Sequence, residues 1–202
     1  MKKITAVVAF AALAIVPGMA SAQWIAAAEV FGSLSDFKQG GVKEDGDGFG
    51  LRGRVNLPST GFFVRAEYVD ESIDDGTDYT EKRISGGYAF GLTPLLDLTL
   101  ELEYADFETE AGNTKFGTDG FGAFVGIETN LPIVTLYGRA GYLLLEDDNK
   151  IDNDGTEIAI GARFGLLPFL SLFGEYRSLT LDPDQGGKFE VDGFRLGVRL
   201  SI

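Results

Sequence analysis

The feature that most constrains this chain is an alternation of apolar and polar residues with a period of two, recurring segment after segment from residue 24 to the C-terminus. Side chains on a strand point in turn to opposite faces, so this period predicts strands with one apolar and one polar face. The stretch from Phe49 to Leu57 is representative: Phe49, Leu51, Gly53, Val55 and Leu57 share one face, and Gly50, Arg52, Arg54 and Asn56 the other. After Ala22 no window sustains a helical period, and 28 glycines with only 6 prolines suit a turn-rich β protein. The pattern predicts ten strands, at about 24–36, 48–57, 62–71, 80–90, 97–107, 119–129, 133–145, 156–166, 170–181 and 188–202. Eight strands with longer loops are the alternative.

Two kinds of connection alternate between these segments. One is short and carries a proline, at Pro58, Pro94, Pro132 and Pro168, spaced 36, 38 and 36 residues apart, which reads as a repeated hairpin. Proline cannot donate to a strand ladder, so it belongs in a turn. The other kind is expected to be a long acidic loop. In four copies it ends in Lys-x-x-x-Asp-Gly, at Lys43–Gly48, Lys115–Gly120, Lys150–Gly155 and Lys188–Gly193, and the Asp-Gly step is expected to turn the backbone through positive φ.

Residues 1–22 read as a cleavable export signal. Lys2 and Lys3 precede the apolar run Ile4–Val16, and Ala20-Ser21-Ala22 is a small-residue cleavage site. That run is shorter than the roughly 20 residues a spanning helix requires. Residues 23–202 then form one domain. With no cysteine there are neither disulfides nor thiolate metal sites, and the formal charge of −14 excludes a nucleic-acid partner.

Alternation alone does not say which face is inside, and three further patterns decide it. Aromatic residues are banded on the apolar face: Phe49, Tyr68, Tyr104, Phe121, Tyr142, Tyr176 and Phe194 lie at one level, with Trp24, Phe62, Phe90 and Phe164 as candidates for the opposite one. Basic residues are sorted by type. All nine arginines (Arg52, Arg54, Arg65, Arg83, Arg139, Arg163, Arg177, Arg195 and Arg199) fall on the polar face of strands, while Lys38, Lys43, Lys82, Lys115, Lys150 and Lys188 lie in or beside the acidic connections. Guanidinium groups form multi-donor ion pairs where water is scarce, which suits a confined lumen. Against them stand Glu29, Glu67, Glu101, Glu103, Glu128, Glu157 and Glu175, giving an expected lumen charge near +2. Strand length agrees: about ten residues, tilted, span the roughly 25 Å apolar band of a transmembrane barrel, whose sheet must close to pair its backbone. An even strand count returns both termini to one side, which the export signal makes periplasmic.

This whole-chain pattern resembles the small OmpA-, OmpX- and opacity-type outer-membrane barrels, and Asp47-Gly48-Phe49-Gly50 is similar to a stretch of Ax21-type proteins. The resemblance implies an outer-membrane barrel assembled by the outer-membrane machinery, surrounded by lipid and lipopolysaccharide. Members of that class commonly end in an aromatic residue, whereas this chain ends in Ile202.

Ten strands are also the count of the omptin proteases. The barrel-borne proteases, acyltransferases and lipases rely on histidine, and the sequence contains none. Glu101 and Glu103 share a strand face and mimic a glycosidase pair, but partnership with lumen arginines is the stronger expectation. Asp147, Asp148, Asp152 and Asp154 offer hard oxygen ligands to a divalent cation, without the closing glutamate of a Ca²⁺ hand. No cofactor is expected. The glycines Gly50, Gly87, Gly122, Gly126, Gly161 and Gly197 on the polar face would clear space for a narrow porin-like channel. Three functions follow in order: a non-enzymatic surface barrel, a channel for ions or very small solutes, and an enzyme.

Overall fold

The computed structural model describes residues 25–202 apart from 75, 113, 148, 149 and 184–186. The export signal and Trp24 therefore lie outside the described residues. Ten antiparallel strands run β1 Ala26–Gln39, β2 Val42–Asn56, β3 Phe62–Ile73, β4 Thr77–Thr93, β5 Leu96–Ala111, β6 Thr114–Asn130, β7 Val134–Asp147, β8 Asp152–Leu167, β9 Leu170–Pro183 and β10 Phe189–Ser201. Each pairs with its neighbours in sequence, and β1 pairs with β10 from Ala27↔Ser201 to Gln39↔Phe189. The sheet is a closed up-and-down barrel of ten strands, not eight.

All four prolyl connections are turns at one end of the barrel, where Ile25 and Ile202 also meet. The Ile202 amide donates to the Ala26 carbonyl at 2.9 Å and the Asn56 amide to Ile25 at 2.8 Å. We call this the prolyl end and the opposite one the acidic end.

At the acidic end the structure departs from the expected loops. Most of the acidic residues are in paired strands that continue the ladder, and β1 and β2 stay in register until Gln39↔Val42. Only Gly40 and Gly41 turn this hairpin, at φ of 59° and 88°, the double positive φ that suits a two-residue turn. Charge and glycine content favour loops locally, but a ladder outside the apolar band needs no apolar face to continue.

The Asp-Gly steps are likewise inside strands, and Gly48, Gly120, Gly155 and Gly193 are in extended backbone. Close approach is what calls for glycine there. A Cβ on Gly48 would overlap the Asp70 carbonyl, and one on Gly120 that of Leu144.

The barrel is inside out relative to a water-soluble one. Val30, Ile84, Leu102, Val125, Ile160 and Leu196 stand on its outer wall at 46–71% exposure, part of a continuous apolar belt, while glutamates and arginines are buried within. Monomeric soluble proteins do not present an apolar surface of this extent, so the belt is the lipid-facing wall of a transmembrane barrel.

Candidate functional site

The interior is the candidate site, and it is built from a repeated unit of glycine, aromatic ring and arginine. On the lumen face a glycine stands directly across the ladder from a ring that lies over it. Phe31 pairs with Gly50 and Gly197, Phe63 with Gly87, Phe124 with Gly141 and Tyr137 with Gly161. A Cβ at Gly50, Gly87, Gly141 or Gly161 would strike that ring, and one at Gly197 would meet the Val30 carbonyl, the Phe31 Cβ and the ring of its other ladder partner, Phe173. The glycines therefore seat aromatic rings rather than clear a pore, which corrects the expectation for Gly50, Gly87, Gly161 and Gly197. Gly122 is similarly occupied by Leu143 and Phe124, and Gly126 by Thr99.

Guanidinium groups then lie against the rings. Arg54 is 3.8 Å from the centre of Phe63, Arg139 is 3.8 Å from Phe124 and Arg163 is 4.8 Å from Tyr137, while Arg52 and Arg195 lie 5.6 and 5.1 Å from Phe31. Cation–π attraction strengthens where water is excluded.

All nine arginines point inward, and their ion pairs cross the bore rather than only following the ladder. Arg52 on β2 reaches Glu67 at 2.5 Å, Glu175 at 2.7 Å and Glu29 at 3.1 Å. Arg195 on β10 binds Glu67 and Glu175, at 2.8 and 3.2 Å, and Arg199 binds Glu29 at 2.8 Å.

A second network centres on Glu103, which accepts from Arg65, Arg83 and Arg139 at 2.8, 2.7 and 3.1 Å. Arg83 and Arg177 both hold Glu157, at 2.6 and 2.8 Å, and Arg65 also holds Glu101 at 2.8 Å. Arg163 pairs with Glu128 at 2.5 Å, and Arg54 donates to Asn56 at 3.0 Å. Glu101 and Glu103 thus sit among guanidiniums.

Two lumen acids were missed by sequence reasoning. Glu81 is fully buried between Arg83 and Arg177, and Glu71 is 3% exposed and accepts from Ser35 at 3.1 Å. Parity was the available signal, because Glu71 alternates with Arg65 and Glu67, and Glu81 with Arg83. With them the lumen holds nine arginines and nine glutamates, so it is neutral rather than near +2.

Toward the acidic end the lumen face stops being polar, which the alternation did not predict. Phe37, Tyr79, Phe107, Leu143, Leu145, Leu179, Leu181 and Val191 form one buried apolar cluster with Ala105 and Phe124. Its members come from β1, β9 and β10 on one side of the bore and from β4 to β7 on the other. Phe37 of β1 meets Tyr79 of β4 at 5.2 Å, and these strands are not neighbours in the sheet. The cluster therefore closes the bore.

Outside, Phe49, Phe121, Tyr142, Tyr176 and Phe194 are exposed at 44–68%, with Tyr104 at 38% and Tyr68 partly covered. The Tyr104 and Phe121 rings are 5.4 Å apart. Hydroxyls of Tyr104, Tyr142 and Tyr176 donate to Asp119 at 2.8 Å, Asp154 at 2.6 Å and Asp192 at 3.2 Å, and Tyr68 donates to Asp70 at 3.3 Å. Three of those acceptors are the aspartates of Asp-Gly steps. At the prolyl end Phe62, Phe90 and Phe164 are also exposed, and Tyr88 joins them, 4.9 Å from Phe62 and 4.5 Å from Phe90.

Lysines brace the acidic end: Lys38 to Asp192 at 2.7 Å, Lys43 to Asp36 at 3.0 Å, Lys115 to Glu108 at 2.9 Å and Lys188 to Glu190 at 2.7 Å. The Glu190 carboxylate raises the Lys188 ammonium above the ordinary lysine value. Of the candidate cation ligands, Asp148 lies outside the described residues. Asp147 accepts from the Ile151 amide at 2.8 Å and Asp154 from Tyr142, and no metal-holding group of acids forms among the described residues.

Comparison with known proteins gives no matching family model and no matching curated protein. Solved structures do match. Neisserial surface protein A aligns at a TM-score of 0.51 with 10% identity, over 88% of this chain and 97% of its own. The outer membrane protease OmpT from Escherichia coli gives 0.51 with 12% identity, over 88% and 96%. An outer membrane channel from Pseudomonas putida F1 gives 0.54 with 9% identity, over 94% and 100%. A surface protein, a protease and a channel share this architecture, so the likeness shows the fold and does not choose among functions.

Proposed function

We propose that this chain is a non-enzymatic, non-conducting outer-membrane barrel whose role is structural and surface-directed. The closed bore carries the reading: an apolar cluster spans it at the acidic end, above ion pairs that cross it. Residues 1–22 direct export and are cleaved; the termini and prolyl turns face the periplasm, and the acidic end faces outward. The belt is solvated by outer-membrane lipid. The acidic collar meets the environment and, through divalent cations, the phosphates of lipopolysaccharide, and assembly uses the outer-membrane machinery. The absence of histidine and the engagement of the lumen carboxylates by arginine support a barrel without catalysis.

Recordings in planar bilayers containing the folded barrel test this. The expected result is a silent membrane, and a stable unitary conductance would replace the proposal with a narrow channel.

A further inference from the structure

Eight of the nine lumen glutamates are held by at least one arginine, and Glu71 is the exception. It is buried, and among the described residues no arginine or lysine pairs with it. One carboxyl oxygen accepts from Ser35 Oγ at 3.1 Å, while the other, Oε2, is buried without a hydrogen-bond partner. The Ser33 hydroxyl stands beside the same carboxyl, and its Oγ is a second buried oxygen without one. On β3 this residue follows Tyr68 and Asp70, so it lies beyond the outer aromatic girdle, level with the collar.

None of the elements packed against Glu71 supplies it with a free cation. From β1 it meets Ser33 and Ser35, and its ladder partners are Gly48 of β2 and Tyr79 of β4. The charged groups that act on it from farther away are Arg195 of β10 and Glu81 of β4, of opposite sign. Arg195 is committed to Glu67 and Glu175, and Glu81 to Arg83 and Arg177. A cavity of about 90 Å³ opens the prolyl-side half of the lumen with six glutamates on its wall, and Glu71 is not one of them. On its other side Tyr79 meets Phe37 in the contact that closes the bore. A carboxylate taken out of water needs a cation or several donors, and burial without them disfavours the ionised form. A proton meets that need: the neutral acid has no charge to solvate, and its O–H gives Oε2 a hydrogen to donate toward Ser33 Oγ. A hard metal cation would call for about six or more oxygens, and only one carboxyl and two hydroxyls converge here.

We propose that Glu71, with Ser33 and Ser35, is a buried proton-binding site, and that the barrel at neutral pH holds Glu71 as the neutral acid beneath the seal. With that proton bound, the lumen sets nine guanidiniums against eight carboxylates. Above the ordinary glutamate value of about 4.3 the folded barrel then holds one proton more than the unfolded chain. Stability at this site therefore falls as pH rises, by up to about tenfold in the folding constant per pH unit, until Glu71 ionises within the fold.

The test compares the folded full-length barrel in dodecyl maltoside with its Glu71→Gln variant, in which an amide replaces the acid. Infrared spectra of the wild type at pH 7 are expected to show a carboxylic-acid carbonyl band, and the variant should lack it. In urea unfolding the ratio of the two folding constants should move at least tenfold in favour of the variant between pH 4 and pH 7. Glu103→Gln, which removes a carboxylate held by three arginines, should show no such shift and should lose stability at pH 7. Absence of the band in the wild type overturns the site, and that reading does not depend on the variant folding. A band retained in folded Glu71→Gln overturns it too, as does a ratio that stays constant from pH 4 to pH 7. Wild-type stability that follows sodium concentration at fixed pH, in place of pH itself, would replace the proton with a metal cation.

Discussion

The two halves of the lumen are made by the same strands with the same alternation, yet they solve the interior differently. On the prolyl side, polar-face positions carry arginines, glutamates and the rings beneath them, around a cavity that water reaches. On the acidic side the same face carries Phe37, Tyr79, Leu143, Leu179 and Val191, packed across the bore. Facing inward therefore does not by itself mean polar. A barrel of this width has only to be filled, and charge pairs and apolar side chains both fill it. What differs is the cost of an error, because the sealed half has no water to replace a lost partner.

The largest test of that contrast concerns the carboxylates. Glu103 has a fully buried side chain and serves Arg65, Arg83 and Arg139, so Glu103→Ala leaves three guanidiniums short of one partner. Breaking a buried pair in this way costs about 3–5 kcal/mol. Glu128, with 17% of its side chain exposed and paired to Arg163 alone, lies nearer the mouth, and Glu128→Ala should cost under about 1 kcal/mol, as at a surface. Urea unfolding in detergent, followed by heat-modifiable migration on cold gels, reads both. Equal losses would mean that both halves are equally dry.

Apolar truncation follows in size. Leu179 is fully buried in the cluster that closes the bore, and Leu179→Ala should cost about 2–5 kcal/mol through the cavity it leaves. Thr99→Ala, on the wall of the prolyl-side cavity, should leave the unfolding midpoint nearly unchanged, because water fills what it vacates. A tolerated Leu179→Ala would show that the seal is loose.

A third test compares the lumen with the outer wall through one substitution at neighbouring glycines of β2. A Cβ on Gly50 meets the Phe31 ring, which Arg52 and Arg195 flank, so the ring has little room to yield. Gly50→Ala should cost about 1–3 kcal/mol as overpacking. Gly53 faces outward with nothing within 4 Å, and Gly53→Ala should be neutral or mildly stabilising in the same assay.

These contrasts mark how far the sequence was legible. Alternation, four prolyl turns and the sorting of arginine from lysine yielded ten strands and the inside-out arrangement, because period and turn chemistry act locally and repeat along the chain. The seal was missed because it is made by residues such as Phe37 and Tyr79, distant in sequence and brought together only when the sheet closes. The ring seats were missed for a related reason. Gly87 and Phe63 are cross-strand partners, so their match depends on register that spacing does not state. Acidic stretches resembled loops because composition is a weak guide where a ladder leaves the membrane but goes on pairing, and Gly48 resembled a turn residue although it answers to the Asp70 carbonyl.

The smallest expected effect lies on the outer wall, at the tyrosines that meet the acidic collar. Tyr104 donates to Asp119 at 2.8 Å, and both reach the outer surface. Removing the hydroxyl costs little if water or a lipid headgroup hydrates the freed carboxylate, so Tyr104→Phe should shift stability by less than about 1 kcal/mol. Its ring should still hold its level, since the apolar body, against Phe121 at 5.4 Å, anchors it beside the lipid. Measured beside Glu103→Ala in the same urea series, the two changes should rank as inside above outside by several-fold. A Tyr104→Phe loss as large as that of Glu103→Ala would place this tyrosine in a dry environment and move the edge of the lipid band past the collar.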